Sequence, residues 1–195
     1  MTEPRLAPDY PILTERLLLR PIDAEADLMA MHAYRSDPEV CRYVPFSPGT
    51  PEELAERLAD PERVRSVIDD EGQVLALVMV RRDTGQLIGD LVLFWHSNES
   101  QRAEVGYVLH PDHVGHGFAT EGTRALLVLC FEEAGAHRVT ARIDSRNTAS
   151  ARVLERLGMR HEATLVEDVR LKDEWVSTGI YAMLDREWAD QNSRR

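Results

Sequence analysis

The sequence predicts a single α/β domain of the α+β kind, with a mixed, mostly antiparallel central sheet flanked by helices. Three observations predict it. Between Val74 and Leu109, three β-rich runs follow one another across short polar turns, which is the pattern of an antiparallel meander. From Glu104 to Gly122 the chain reads as strand, glycine loop, helix. A further strand, a helix and a last strand pair follow with no internal repeat or low-complexity linker, and 195 residues suit one domain with a substantial core.

Residues 1–13 hold three prolines and no period, and read as an N-terminal tail leading into a strand over about 16–22. Asp23 suits the cap of a helix on which Leu28, Met29, Met31 and His32 fall near one face. Asp37-Pro38 breaks that helix. The stretch 43–51 carries Pro45, Pro48, Gly49 and Pro51 and reads as a loop, and Thr50 caps a second helix reaching about Leu58. Runs 74–82 and 87–95 then make a hairpin around Asp83-Thr84-Gly85-Gln86, and 102–109 is the next strand.

Pro111 ends that strand, Gly115 and Gly117 supply a loop with little side-chain bulk, and a helix begins at Ala119 that is apolar from Ala125 to Phe131. Residues 139–144 form a strand. Ser150, Val153, Leu154 and Leu157 then recur at helical spacing until Gly158 stops the helix. Runs 160–167 and 177–184 pair around the Lys172-Asp173 turn. A glycine loop at a helix start gathers N–H groups that lack an intrahelical partner, and the helix dipole adds positive potential, so the loop is a phosphate cradle. It is neither a Walker loop nor a G-x-G-x-x-G fingerprint, because Gly-Lys-Ser/Thr is missing and Thr120 takes the last glycine's place.

The hydrophobic fraction of 43% and charged fraction of 29% are ordinary for a soluble globular chain. A net charge of −11 argues against a nucleic-acid surface and leans toward a cationic partner. The longest apolar runs, 74–80 and 125–131, are far short of a membrane span, and no signal peptide is visible. Cys41 and Cys130 read as reduced core thiols, so the expected location is cytoplasmic. His110, His113 and His116 are spaced by three, but Pro111, Gly115 and Gly117 prevent the helix that would align them. No metal is expected. Cys130 lies in an apolar helical run without a histidine and does not read as a nucleophile.

The segment Val114-Gly115-His116-Gly117-Phe118-Ala119 resembles the Q/R-x-x-G-x-G/A turn of the GNAT superfamily of acyl-CoA-dependent N-acyltransferases, with Val114 where Gln or Arg is usual. Thr14-Glu15-Arg16-Leu17-Leu18-Leu19-Arg20-Pro21, Ala103-Glu104-Val105-Gly106-Tyr107, Asn147-Thr148-Ala149-Ser150 and Val153-Leu154-Glu155-Arg156-Leu157-Gly158-Met159 are similar to motifs of the RimJ/RimL-type ribosomal-protein N-terminal acetyltransferases. The resemblance covers residues 14–188 as one GNAT-like domain, with tails at 1–13 and 189–195. It implies acetyl-CoA as acyl donor and is compatible with a homodimer.

By that resemblance, Val114, Gly115, His116, Gly117, Phe118, Ala119 and Thr120 hold the coenzyme pyrophosphate. Val108, Leu109 and His110 lie where the family's strand splays and offers backbone groups to the pantetheine arm, and Asn147 contacts the coenzyme. Glu104 matches the family's general base and Glu167 is the second candidate, from the match of Leu165-Val166-Glu167 to "L-R-E". Ser150 takes the general acid's place, because Leu154 stands where many members have tyrosine. The bland alternatives are acids at a sheet surface for Glu104 and Glu167, and helix-cap roles for Asn147 and Ser150.

Transfer from a thioester to an amine needs a neutral amine, a stabilised oxyanion and a protonated or otherwise stabilised leaving thiolate. At pH 7, deprotonating a lysine-like amine costs about 4.6 kcal/mol and an α-amine about 1 kcal/mol. A protein N-terminus is therefore the expected acceptor. The rivals are a small amine such as a polyamine or aminoglycoside, which Glu52, Glu53, Glu56 and Asp60 could face from the second helix, and a non-catalytic acyl-CoA-binding regulatory module. Val114, Leu154 and Ser177, the last where the subgroup usually has Asp, motivate that last reading.

Overall fold

The computed structural model describes residues 5–193, so positions 1–4 and 194–195 of the two expected tails lie outside the described residues. The described residues build one eight-stranded sheet in the order β1-β2-β3-β4-β5-β6-β8-β7. Its strands are β1 Ile12–Leu13, β2 Leu17–Pro21, β3 Val74–Arg81, β4 Leu87–Ser97, β5 Arg102–Leu109, β6 Arg138–Asp144, β7 Arg160–Leu171 and β8 Glu174–Leu184. Neighbours are antiparallel except β5 and β6, which run parallel. The expected mixed, mostly antiparallel sheet is thus observed.

Period-two alternation in β3–β5 places Leu75, Leu77, Met79, Leu91, Leu93, Trp95, Ala103 and Val105 on one face. That face packs on α4 Phe118–Val128 and α5 Thr148–Arg156 in the larger core. On the opposite face Val78 and Val108 meet α1 Leu28–Arg35 and α3 Pro51–Leu58 through Met31, Tyr34, Leu54 and Leu58. The second core stops short of β5's lower half. This leaves the face that carries Phe94, His96 and Glu104 open.

Several elements differ from the sequence reading. α1 starts at Leu28 with Asp27 at its N-cap, because Asp23 instead accepts from the N–H groups of Glu25 and Ala26 in a preceding turn. Met31 and Tyr34 form its buried face, and Met29 is exposed. Asp37-Pro38 does end α1, but it also starts α2 Pro38–Cys41, where proline at the first position needs no N–H partner. Thr50 and Glu53 make the reciprocal capping box of α3. α4 begins one residue early, at Phe118, and runs into a π turn, Leu129–Glu133.

The two segments expected as tails are structured where described. Leu6 is buried and its N–H and C=O pair with Ile68, and the Tyr10 hydroxyl donates to the Ser66 carbonyl. At the other end α6 Asp185–Asn192 buries Trp188 against the core, with the indole N–H donated to Glu132.

Edge strand β7 is almost wholly exposed and is tied down by charge. Glu162 accepts from Arg138 of β6 and from Arg160, which also reaches Glu187 of α6. The Arg138 hydrogen bond, followed by that of Arg160, holds the Glu162 carboxyl at about 2, against an ordinary value of 4.5. A carboxyl lowered in the folded state contributes its stability in full above the unfolded value and loses it as the pH falls through the folded one. Stability is therefore expected to drop between pH 4.5 and 2, and Glu162→Gln should flatten the acid limb of unfolding followed by circular dichroism.

Candidate active site

The β5–β6 pairing covers Arg102 to Glu104 only. Beyond Glu104 the two parallel strands diverge, and the β6-facing edge of β5 has no strand partner from Val105 to Leu109. Into the gap opens a cleft of about 400 Å³, lined by Tyr107, Val108 and Leu109 on one side and Gly115, Gly117, Ala119 and Thr120 at one end. The side chains of Val108 and Leu109 pack into the two cores, which leaves their backbone for the cleft.

Gly117 is the N-cap of α4 with φ +83, a left-handed conformation, and a Cβ there would stand 3.3 Å from Arg16 Nη2. Gly115 is left-handed too, with open space where its Cβ would be. The loop therefore presents bare backbone to a ligand. Thr120 Oγ1, in the first turn of α4, is buried without a hydrogen-bond partner, and Arg152 and Arg156 line the cleft with no ion pair among the described residues. Those features fit a pyrophosphate. Gly117→Val, which forces a β-branched residue into a left-handed conformation at a cost of about 1–2 kcal/mol, is expected to weaken acetyl-CoA binding about tenfold by calorimetry.

At the other end of the cleft stands the start of α5. Asn147 is its N-cap, its Oδ1 accepting from the Ser150 N–H at 3.0 Å. Tyr107 donates its hydroxyl proton to Ser150 Oγ at 3.1 Å, with the Ser150 carbonyl at 3.3 Å. Burial pushes the Tyr107 hydroxyl up to about 12, the Ser150 hydrogen bond opposing it. Tyr107 is a functional candidate that the sequence reading passed over, although it closes the Ala103–Tyr107 motif; Arg152 and Arg156 are others.

Glu104 lies on the open face of β5, its Oε2 3.2 Å from His96 Nε2. Glu167 is elsewhere. It sits in a β7 bulge with φ +47, its N–H donated to Ser177 Oγ, and β6 and β8 stand between its strand and that of Glu104. The structure does not gather the two glutamates into one cluster. A second cavity of about 730 Å³ lies between α1, α3 and the sheet, bordered by Glu53, Glu56 and Asp60 but also by Arg35, Arg57 and Arg63. Glu52 is not among the residues lining it.

His110 Nδ1 accepts the Asp112 N–H and its ring meets Tyr34 and His113 edge-on, while His116 lies against Phe118. His113 is buried, and burial followed by His110 and Arg81 pushes its imidazole down. Among the described residues no three His, Cys, Asp or Glu side chains form a metal-holding group. Both cysteines are free and buried, and burial pushes the Cys130 thiol up. No helix among the described residues is long and apolar enough to cross a membrane.

A long ligand with phosphates at the glycine loop and a reacting carbonyl beside β5 matches the shape and donors of this cleft. That defines an acyl-CoA-dependent transferase. The chain belongs to the GNAT acetyltransferase family: residues 16–160 match the family described as "Acetyltransferase (GNAT) domain", and the protein is an acetyltransferase enzyme. It is 31% identical over 177 residues to YnaD of Bacillus subtilis, an uncharacterised N-acetyltransferase, covering 91% of this chain and 98% of that one. A GNAT-family acetyltransferase from Bacillus anthracis superposes with a TM-score of 0.79 at 29% identity, covering 90% and 99% of the two chains. Spermidine N-acetyltransferase from Vibrio cholerae, solved with CoA and spermine, shares the fold with a TM-score of 0.73 at 20% identity over 90% and 99%.

Proposed function

We propose that this enzyme transfers acetyl from acetyl-CoA to a protein N-terminal α-amine by direct attack in a ternary complex, as a cytoplasmic homodimer of the ribosomal-protein acetyltransferase type. The observation that carries the chemistry is the Tyr107–Ser150 pair, which lines the same cleft as the glycine loop. The loop from Val114 to Thr120 holds the pyrophosphate, with Asn147 ordering the α5 end. Backbone of β5 between Val105 and Leu109 lies along the pantetheine arm and receives the carbonyl oxygen as it becomes an oxyanion, whereas the His110 N–H is donated to the Ile88 carbonyl. Glu104 belongs to the site that takes the proton from the acceptor ammonium. The amine nitrogen bonds to the carbonyl carbon, the carbon–sulfur bond breaks, and Ser150 gives its proton to the departing thiolate as it takes up the proton that leaves the nitrogen.

The α-amine is preferred because neutralising it costs about 3.5 kcal/mol less than a lysine-like amine at pH 7. A small cationic amine is the second reading, favoured by the net charge of −11 and the acids bordering the second cavity. Thiol release from acetyl-CoA against Ala- and Ser-starting peptides, polyamines and aminoglycosides tests both. Turnover confined to peptides is expected. Turnover on polyamines or aminoglycosides alone would move the acceptor to the second reading, and silence with every amine would overturn both.

A further inference from the structure

Glu104 does not face the acceptor side of the sheet alone. β4 carries one residue more than β5 at this level: Trp95 pairs with Ala103 and Ser97 with Arg102, so His96 is the extra residue of a β-bulge. His96 keeps the strand's alternation and lies on the same face as Phe94, which pairs with Glu104, and its Nε2 is 3.2 Å from Glu104 Oε2. Its ring runs parallel to that of Phe94, with centroids 6.2 Å apart and 7° between the planes.

A carboxylate can only accept, so the contact makes Nε2 the protonated nitrogen and leaves the lone pair on Nδ1. This is the arrangement by which a carboxylate sets the tautomer of a histidine base. Chemistry favours it as well. Moving a proton from an α-ammonium to a free imidazole is uphill by about 1 pK unit, and to a free carboxylate by about 3.5. His96 is also the more open of the two, its side chain 42% exposed against 22% for Glu104. Alternation also places Arg102 of β5, Arg138, Arg142 and Asp144 of β6, Asp90 of β4 and Arg20 of β2 on this sheet face. Arg138 and Arg142 are held by Glu162 and Asp168, Asp144 by Arg146, Asp90 by Arg35 and Arg20 by Asp27.

We infer that His96 is the general base of the acyl transfer, with Glu104 as the residue that positions it. This rests on the acyl-transfer reading above. The acceptor ammonium gives one proton to His96 Nδ1, the ring becomes imidazolium beside the Glu104 carboxylate, and the amine attacks. As the tetrahedral intermediate collapses, the nitrogen's second proton is lost and one proton goes to the thiolate through Ser150. The imidazolium returns its proton to solvent, so one proton is released per turnover.

The test compares wild type, His96→Gln, His96→Gly and Glu104→Gln by thiol release on the best acceptor, with and without added imidazole. Expected are a fall in kcat of about 100-fold for His96→Gln at unchanged KM for acetyl-CoA, a smaller fall for Glu104→Gln, and recovery of His96→Gly by imidazole alone. The acid limb of the kcat profile should vanish in His96→Gln. Wild-type kcat and pH profile in His96→Gln, or a His96→Gly loss that imidazole leaves unchanged in a protein with wild-type circular dichroism, overturns the inference while acyl transfer stands. Absence of wild-type turnover on every amine overturns acyl transfer and the inference together.

Discussion

Asp90→Ala is expected to lower the free energy of unfolding by about 3–5 kcal/mol, because it strands a buried charge. Asp90 is 2% exposed on β4. Its Oδ2 accepts from the Tyr34 hydroxyl at 2.6 Å and from Arg35 Nε at 3.1 Å, and its Oδ1 from Arg35 Nη2. Burial works against the Arg35 guanidinium, and Asp90 more than offsets this, raising it above its ordinary value. With alanine at 90, Arg35 loses its carboxylate partner and keeps the Phe46 ring beneath it, and Tyr34, whose hydroxyl is driven up first by burial and then by Asp90, loses that acceptor. Asp90→Asn retains an acceptor and should lose roughly half as much. Chemical denaturation reads both, and an Asp90→Ala midpoint within error of wild type would show that the triad is not holding α1 to the sheet.

Much of this architecture could be read from the sequence because the local signals agreed with the packing. Thr50 caps α3 as expected, and Glu53, three residues on, completes a capping box with it. Gly117 follows a strand and precedes a helix, and it takes the left-handed conformation that only glycine adopts freely. The elements that escaped lack such agreement. α6 has one buried residue, Trp188, so no helical stripe marks it. β7 is exposed along nearly its whole length, so apolar alternation could not place its end at Leu171. α4's apolar run continues through Phe131, but nothing in it announces the π turn.

The site was legible to a similar degree. Of the motif residues, Gly115, Gly117, Ala119 and Thr120 line one cleft with Asn147, Ala149 and Ser150, whereas His116 and Phe118 do not. Pairings across strands were not visible. His96 meets Glu104 through the register of β4 on β5, which the sequence does not print, and Tyr107 meets Ser150 across 43 residues of chain. Glu167 illustrates the converse: its bulge and the Ser177 hydroxyl that receives its N–H are long-range features, and they hold it in a strand apart from Glu104.

Ser150→Ala should reduce kcat about 100-fold, or about 2.7 kcal/mol, with little change in KM for acetyl-CoA, and Tyr107→Phe about tenfold. Because Tyr107 titrates only at about 12, it stays protonated through the working range and its O–H points at Ser150. With the Tyr107 proton on Ser150 Oγ rather than on the Ser150 carbonyl, the serine directs its own proton into the cleft. Tyr107 thereby orients the proton that leaves with the thiolate. Two consequences separate this from a packing role. The double variant should be no slower than Ser150→Ala alone, since the two residues act on one proton. No basic limb from Tyr107 should appear in the wild-type kcat profile below pH 11. A Ser150→Ala enzyme within threefold of wild type would remove the serine from the chemistry and leave it as the first-turn partner of Asn147.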